Sequence, residues 1–174
     1  MSRRPAIALV VLLLAGTAGC AQDQDYAVPG DVCGVEVQAG LLKPLLPPGD
    51  SFHQSKTHEG GGDITGCAMD VDKRRELTFQ ANLVAADVDP LQVKNISLLR
   101  AGNPQKADIG SDARIADNAA MAYSACTYKG EPRRYVVELW VHKPSADINE
   151  HRKDLARFIT AYLPAAQKTA GCTS

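Results

Sequence analysis

Five cysteines and four histidines are the residues best equipped for chemistry in this 174-residue chain. The cysteines are Cys20, Cys33, Cys67, Cys126 and Cys172. No two of them stand two to four residues apart, so neither a structural zinc site nor a thioredoxin-type Cys-x-x-Cys has its spacing. Structural disulfides are the remaining use, and an odd number leaves one thiol to be explained. With Cys20 set aside, the other four allow three pairings. Pairing neighbours in chain order, Cys33–Cys67 and Cys126–Cys172, is favoured, and each closed loop then contributes on the order of 3.5–4 kcal/mol.

Among the histidines, His58 has the most suggestive surroundings. His58-Glu59 and Asp63 flank Gly60-Gly61-Gly62, a grouping that would serve acid–base or metal chemistry if the side chains converged. No second histidine stands at the His-Glu-x-x-His spacing that puts two imidazoles on one helix face. The segment therefore reads first as a solvated polar turn. The glycine run lacks the Lys-Ser/Thr of a phosphate loop, and its acids would repel phosphate. Neither Gly-x-Ser-x-Gly nor Ser-x-x-Lys occurs, so the local signatures of serine hydrolases are absent. His142 and His151 read as surface residues. Trp140, the sole tryptophan, shares one strand face with Glu138 and His142. Left uncovered, that face is a candidate platform for a ligand or partner; the alternative is that Trp140 packs beneath a helix.

Cys20 belongs to a different part of the chain. Arg3 and Arg4 precede an apolar run from Ala6 to Ala15, and Thr17-Ala18-Gly19 lead into the cysteine. Such a run is about half of what a bilayer crossing needs, so it reads as a signal-peptide core. Small residues ending at a cysteine resemble a bacterial lipobox, whose cysteine takes lipid on its thiol and becomes the first residue. Cleavage after Ala18 or Ala21, giving a freely secreted protein, is the alternative. Ser2-Arg3-Arg4 is similar to a twin-arginine opening but lacks the apolar pair that usually follows. Lipidation of Cys20 would explain the odd thiol and leave four for an oxidising compartment.

The full chain is 45% apolar and 22% charged, with a net charge of −1, which excludes low-complexity disorder and gives no electrostatic reason to expect nucleic acid. Residues 20–30 read as a flexible tether and 31–174 as one domain, long enough to bury a core unaided. Val37, Leu41, Leu42 and Leu45 predict a short helix near 35–43, limited by Pro44. Ser51 to Gly62 reads as a flexible turn. Ile64–Val71 and Glu76–Ala86 form a hairpin around Asp72-Lys73-Arg74-Arg75, the second strand alternating Leu77, Phe79, Ala81 and Leu83 with polar residues. Asp89-Pro90 caps a helix lined by Leu91, Val93, Ile96 and Leu99, and Gly102-Asn103-Pro104 ends it. One short strand lies near 113–115, followed by strong strands near 119–128 and 134–142. A helix from Ala146 to Leu163 carries Leu155, Phe158, Ile159, Tyr162 and Leu163 as its buried stripe, with a break expected before Pro164. Clustered antiparallel strands with single helices between them predict an α+β domain: an antiparallel sheet with helices packed on it, stapled by disulfides.

The lipobox, the opening Cys33-Gly34-Val35, the run Gly66-Cys67-Ala68-Met69-Asp70 and the closing Leu163-Pro164-Ala165-Ala166-Gln167 together resemble small actinobacterial lipoproteins. More narrowly, they are similar to families of unknown function with a Cys-Gly-Leu opening and a later cysteine entering a strand; Val35 stands here where those have Leu. The resemblance implies a compact α+β body and carries over no catalytic residue. The expectation is a lipid-anchored protein on the outer face of the cell membrane, binding an envelope partner or small ligand without catalysis, cofactor or metal. The rival expectation is an envelope hydrolase built on His58 and Asp63.

Overall fold

The computed structural model describes residues 24–57 and 64–173. The signal segment, Cys20 and the His58–Asp63 grouping lie outside the described residues. The body is built on a seven-stranded sheet, antiparallel throughout. Its strands are β3 (Phe52–Thr57), β4 (Ile64–Val71), β5 (Arg74–Ala85), β6 (Gln105–Ala107), β7 (Asp112–Ile115), β8 (Ala119–Tyr128) and β9 (Glu131–Val141). They lie in the order β3-β4-β5-β9-β8-β7-β6, so β9 is central between β5 and β8. A small hairpin, β1 (Asp31–Val32) and β2 (Val35–Glu36), stands apart from the sheet.

Period-two patterning decides which way these strands face. Leu77, Phe79 and Ala81 on β5, and Tyr135, Val137, Leu139 and Val141 on β9, point to one side and are buried. That side is covered by helix α4 (Ile148–Thr169), by α1 (Ala39–Leu42) with the 3-10 turn Lys43–Leu45, and by the β1–β2 hairpin. The second side is covered over part of its area by two short helices, α2 (Pro90–Val93) and α3 (Asn95–Arg100), which bury Leu91 and Leu98 against Met121 and Val136. One domain of α+β type results, and both disulfides, Cys33–Cys67 and Cys126–Cys172, join chain-order neighbours.

Hairpin turns are tighter than the sequence suggests. Val71 pairs with Arg74 and Tyr128 with Glu131, leaving two-residue loops at Asp72-Lys73 and Lys129-Gly130. All four loop residues have positive φ, which matches the right-handed twist of the flanking strands. Arg74, Arg75, Glu131 and Pro132 are therefore strand residues. Thr127 exchanges both backbone hydrogen bonds with Thr173, at 2.8 and 3.0 Å, so its partner Pro132 sits where no N–H is required.

Several elements differ from the sequence-based expectation. The segment from Ser51 is an edge strand over Phe52–Thr57, not a flexible turn; its polar residues suit an edge, and Phe52, the one apolar residue of the strand, stacks on Tyr26. The helix expected near 35–43 shrinks to Ala39–Leu42, because the Cys33-Gly34 turn and the disulfide hold Val35–Glu36 in a hairpin. Strand β6 is an addition that three mostly polar residues do not announce. Helix α4 runs through Pro164 without a break. Pro164 lies on the exposed face, while Leu163 and Ala166 are buried on either side, and Gln167 donates to the Ala125 carbonyl at 3.0 Å. The Cys126–Cys172 bond then ties down the end, which closes on Gly171 at positive φ. The stripe on α2 and α3 keeps Leu91 but is otherwise rotated: Val93, Ile96 and Leu99 are 70%, 66% and 57% exposed, and Leu98 and Ala101 are buried in their place. Lys94 interrupts the helix between them, which changes the phase of the pattern.

Residues 24–30, the latter part of the expected tether, lie against the body. Asp25 donates to the Gly49 carbonyl at 2.9 Å, the Tyr26 hydroxyl donates to the Pro47 carbonyl at 2.5 Å, and Tyr26 stacks on Phe52 at 5.7 Å.

Candidate functional site

Glu138 and Trp140 alternate along β9 and His142 follows just past its end, but their surroundings separate them. Glu138 is 2% exposed beneath α2 and α3, and Lys94 meets both of its carboxylate oxygens at 3.0 and 3.2 Å. A buried carboxylate on this otherwise apolar patch requires such a partner. A pocket of about 70 Å³ lies beside the pair, lined also by Val84, Val136 and Asn82, whose Oδ1 is buried without a hydrogen-bond partner. Trp140 is half-buried against Ala101, Ala116 and Ala119, closer to packing beneath a helix than to an open platform. His142 is exposed and shares a 2.9 Å hydrogen bond with Thr78.

His151, expected at the surface, is buried at 2% exposure on the core side of α4. Neither ring nitrogen has a hydrogen-bond partner. Burial pushes its pKa below the ordinary histidine value, an effect that Asp154 one turn away opposes. The reason for the misreading is local: Glu150, Arg152 and Lys153 around it are polar, but position 151 is four residues before Leu155 on the buried stripe. Arg152 itself is a clamp, donating to Asp117 at 2.6 Å and to the carbonyls of Asn103 and Ile115 at 2.8 and 2.7 Å.

A cavity of about 190 Å³ lies on the other side of the sheet, between β4, β5 and β9, the second half of α4, and the β1–β2 hairpin. Phe79, Ala81, Val32, Val35, Ala166 and the Cys33–Cys67 disulfide make most of its wall. Gln80 and the exposed Lys56, Thr65 and Thr169 add polar groups to the lining, so the cavity reaches the surface.

Two tyrosines give this cavity its chemistry. Tyr135 occupies an inward position of β9, and Tyr162 is on the buried stripe of α4, four residues after Phe158. The Tyr162 ring is held by Phe79 and Phe158, with centroids at 5.6 and 5.3 Å. Each tyrosine is 5% exposed, and neither hydroxyl is among the buried side-chain atoms left without a hydrogen-bond partner. Burial raises both pKa values, that of Tyr135 to about 12, and Tyr135 adds to the shift of Tyr162. Both hydroxyls thus keep their protons at neutral pH and are available as donors. Sequence patterning places both residues in the core but does not single them out. The available signal was a polar atom on a residue type where Val or Leu would fill a core position.

Among the described residues no three His, Cys, Asp or Glu side chains gather as a metal site, and no helix is long and apolar enough to cross a membrane. Comparison with protein-family models, with curated proteins and with solved structures finds no match to this chain.

Proposed function

We propose that this chain is a lipoprotein anchored through Cys20 to the outer face of the cell membrane, and that its body is a non-catalytic module holding a small ligand in the cavity beneath α4. The observation that carries the ligand reading is a cavity of about 190 Å³ that opens to the surface and is lined by Tyr135, Tyr162, Phe79 and the Cys33–Cys67 disulfide. The anchor reading rests on the apolar run ending at Thr17-Ala18-Gly19-Cys20. Cysteine parity supports it: both disulfides together use Cys33, Cys67, Cys126 and Cys172, so Cys20 is the remaining thiol. Disulfides persist where the compartment is oxidising, which agrees with export.

Intact mass on protein extracted from its own membranes tests both parts. The expected chain begins at Cys20, carries a diacylglycerol-sized addition and lacks the four hydrogens of two disulfides. Cys20→Ser is expected to move the protein from the membrane fraction to the soluble fraction. A chain lacking Cys20, or carrying no lipid, overturns the anchor. A native spectrum is expected to show a small co-isolated mass that Ala166→Leu, placed in the cavity wall, removes.

A further inference from the structure

We infer that Cys33–Cys67 is a site of thiol–disulfide exchange, opened by an external dithiol that attacks Cys33, while Cys126–Cys172 stays closed. Access distinguishes the two sulfurs. Both cysteines line the cavity beneath α4, which reaches the surface, and Cys33 is half-buried whereas Cys67 is 3% exposed. An incoming thiolate therefore meets Cys33, and Cys67 is the leaving group. Lys56 stands where that leaving group needs a cation. It is the register partner of Cys67 across β3 and β4, so the two side chains share one face of the sheet. Its Nζ lies 3.8 Å from the point where a side chain on Gly34 would begin, beside the turn that carries Cys33. Lys56 has no ion-pair partner among the described residues, and the described lining of the cavity contains no Asp or Glu. The Asp31 carboxylate at the same turn accepts from the Gly34 N–H at 2.8 Å and from Gln54 at 3.2 Å. A cation beside a thiol lowers its pKa, and a leaving thiol of lower pKa departs faster.

Backbone geometry separates this bond from the second one. Val32 pairs with Val35, so Cys33-Gly34 is a two-residue loop, with φ of 49° and 95°. Such a loop favours Asn, Asp or Gly at its first position, and a cysteine there holds a left-handed conformation that side chains rarely take. Reduction frees Cys33 to leave it, which makes the bond easier to reduce. The turn is tied to β3 by a side chain, Gln54, which accepts from the Cys33 N–H at 3.1 Å. Around Cys126–Cys172 the tie is backbone: Thr127 and Thr173 exchange both hydrogen bonds, and neither cysteine has positive φ. Arg133 stands opposite Cys126, so a neighbouring cation is common to both bonds and the backbone makes the difference.

The exchange balances in two steps. The dithiol's thiolate bonds to Cys33 Sγ as the Cys33–Cys67 bond breaks, and the electron pair leaves on Cys67 Sγ, which then takes a proton. The dithiol's second thiolate attacks its own sulfur in the mixed disulfide and releases Cys33, which is protonated in turn. One dithiol is oxidised to a disulfide, one cystine is reduced to two thiols, and two protons pass from the dithiol to Cys33 and Cys67.

The probes are dithiothreitol and glutathione, added to the full chain held in amphipol with its free thiols blocked beforehand, then quenched with an alkylating agent and mapped by peptide mass. Without denaturant, dithiothreitol is expected to expose Cys33 and Cys67 to alkylation about tenfold sooner than Cys126 and Cys172, as an accessible, strained bond exchanges ahead of a braced one. Glutathione is expected to be trapped on Cys33. Lys56→Met is expected to slow reduction of Cys33–Cys67 about threefold, with Lys56→Arg restoring the rate and neither changing the rate at Cys126–Cys172. Lys56 is exposed, so both variants keep the fold. Equal rates at the two bonds, or earlier opening of Cys126–Cys172, overturn the exchange site. Glutathione on Cys67 overturns the direction of attack, and an unchanged rate in Lys56→Met removes Lys56 from the step.

Discussion

At the scale of single residues, His151 is the clearest liability in the molecule. Its ring is buried, both nitrogens lack partners, and its pKa lies below the ordinary value, so the folded state holds it neutral. In the unfolded chain it takes a proton near its ordinary pKa of about 6.5. Above that value both states are neutral and the residue contributes no pH dependence. As pH falls below it the unfolded state binds the proton first, and stability is lost until the depressed folded pKa is passed. Denaturant midpoints are expected to drop between about pH 7.5 and 5.5, and His151→Leu is expected to flatten that part of the profile. An unchanged slope in the variant would assign the dependence to other groups. The same residue shows how short-range reading fails. Charged neighbours in sequence suggest solvent, yet helical period, with Leu155, Phe158 and Tyr162 following on one face, turns position 151 inward.

At the scale of elements, α2 and α3 are held on the sheet by apolar packing and, among the described residues, by one ion pair. Leu91 and Leu98 supply apolar contact, while Lys94–Glu138 is the charged link between these helices and β9. Lys94→Met removes the cation and leaves a buried carboxylate unpaired. The expected loss is about 2–3 kcal/mol by chemical denaturation, below the full penalty of a sealed pair because the Lys94 side chain is 37% exposed. Adding Glu138→Met in the same chain is expected to recover most of that loss, since two packed apolar side chains replace the pair without an orphan charge. Failure to recover would mean that Glu138 is needed for more than pairing with Lys94. The long elements were legible: β4, β5, β8 and β9 each repeat an inward residue every second position over enough length to outweigh local exceptions. The short ones were not. β3 is almost wholly polar, β6 has three residues, and both exist because a neighbouring strand offers them an unpaired edge.

At the scale of the whole molecule, two disulfides brace opposite parts of the fold. Cys33–Cys67 joins the β1–β2 hairpin to β4, and Cys126–Cys172 joins β8 to the chain just after α4. The closed loops span 34 and 46 positions, for which loop-closure entropy predicts about 4 kcal/mol each. Cys126→Ser with Cys172→Ser is expected to lower the melting temperature by about 10 °C in a domain of this size, read by calorimetry. An unchanged melting temperature would show that packing alone holds the end of α4. The fold class, the long strands, the helix N-cap at Asp89 and the favoured cysteine pairing follow from sequence, because each rests on residue type and short-range patterning. Which face each helix buries, that Lys94 reaches Glu138 across 44 positions, and that Tyr135 and Tyr162 meet at one cavity were decided by tertiary structure. Periodicity tells a side chain to point inward; only the packed elements around it determine whether its polar atom finds a partner there.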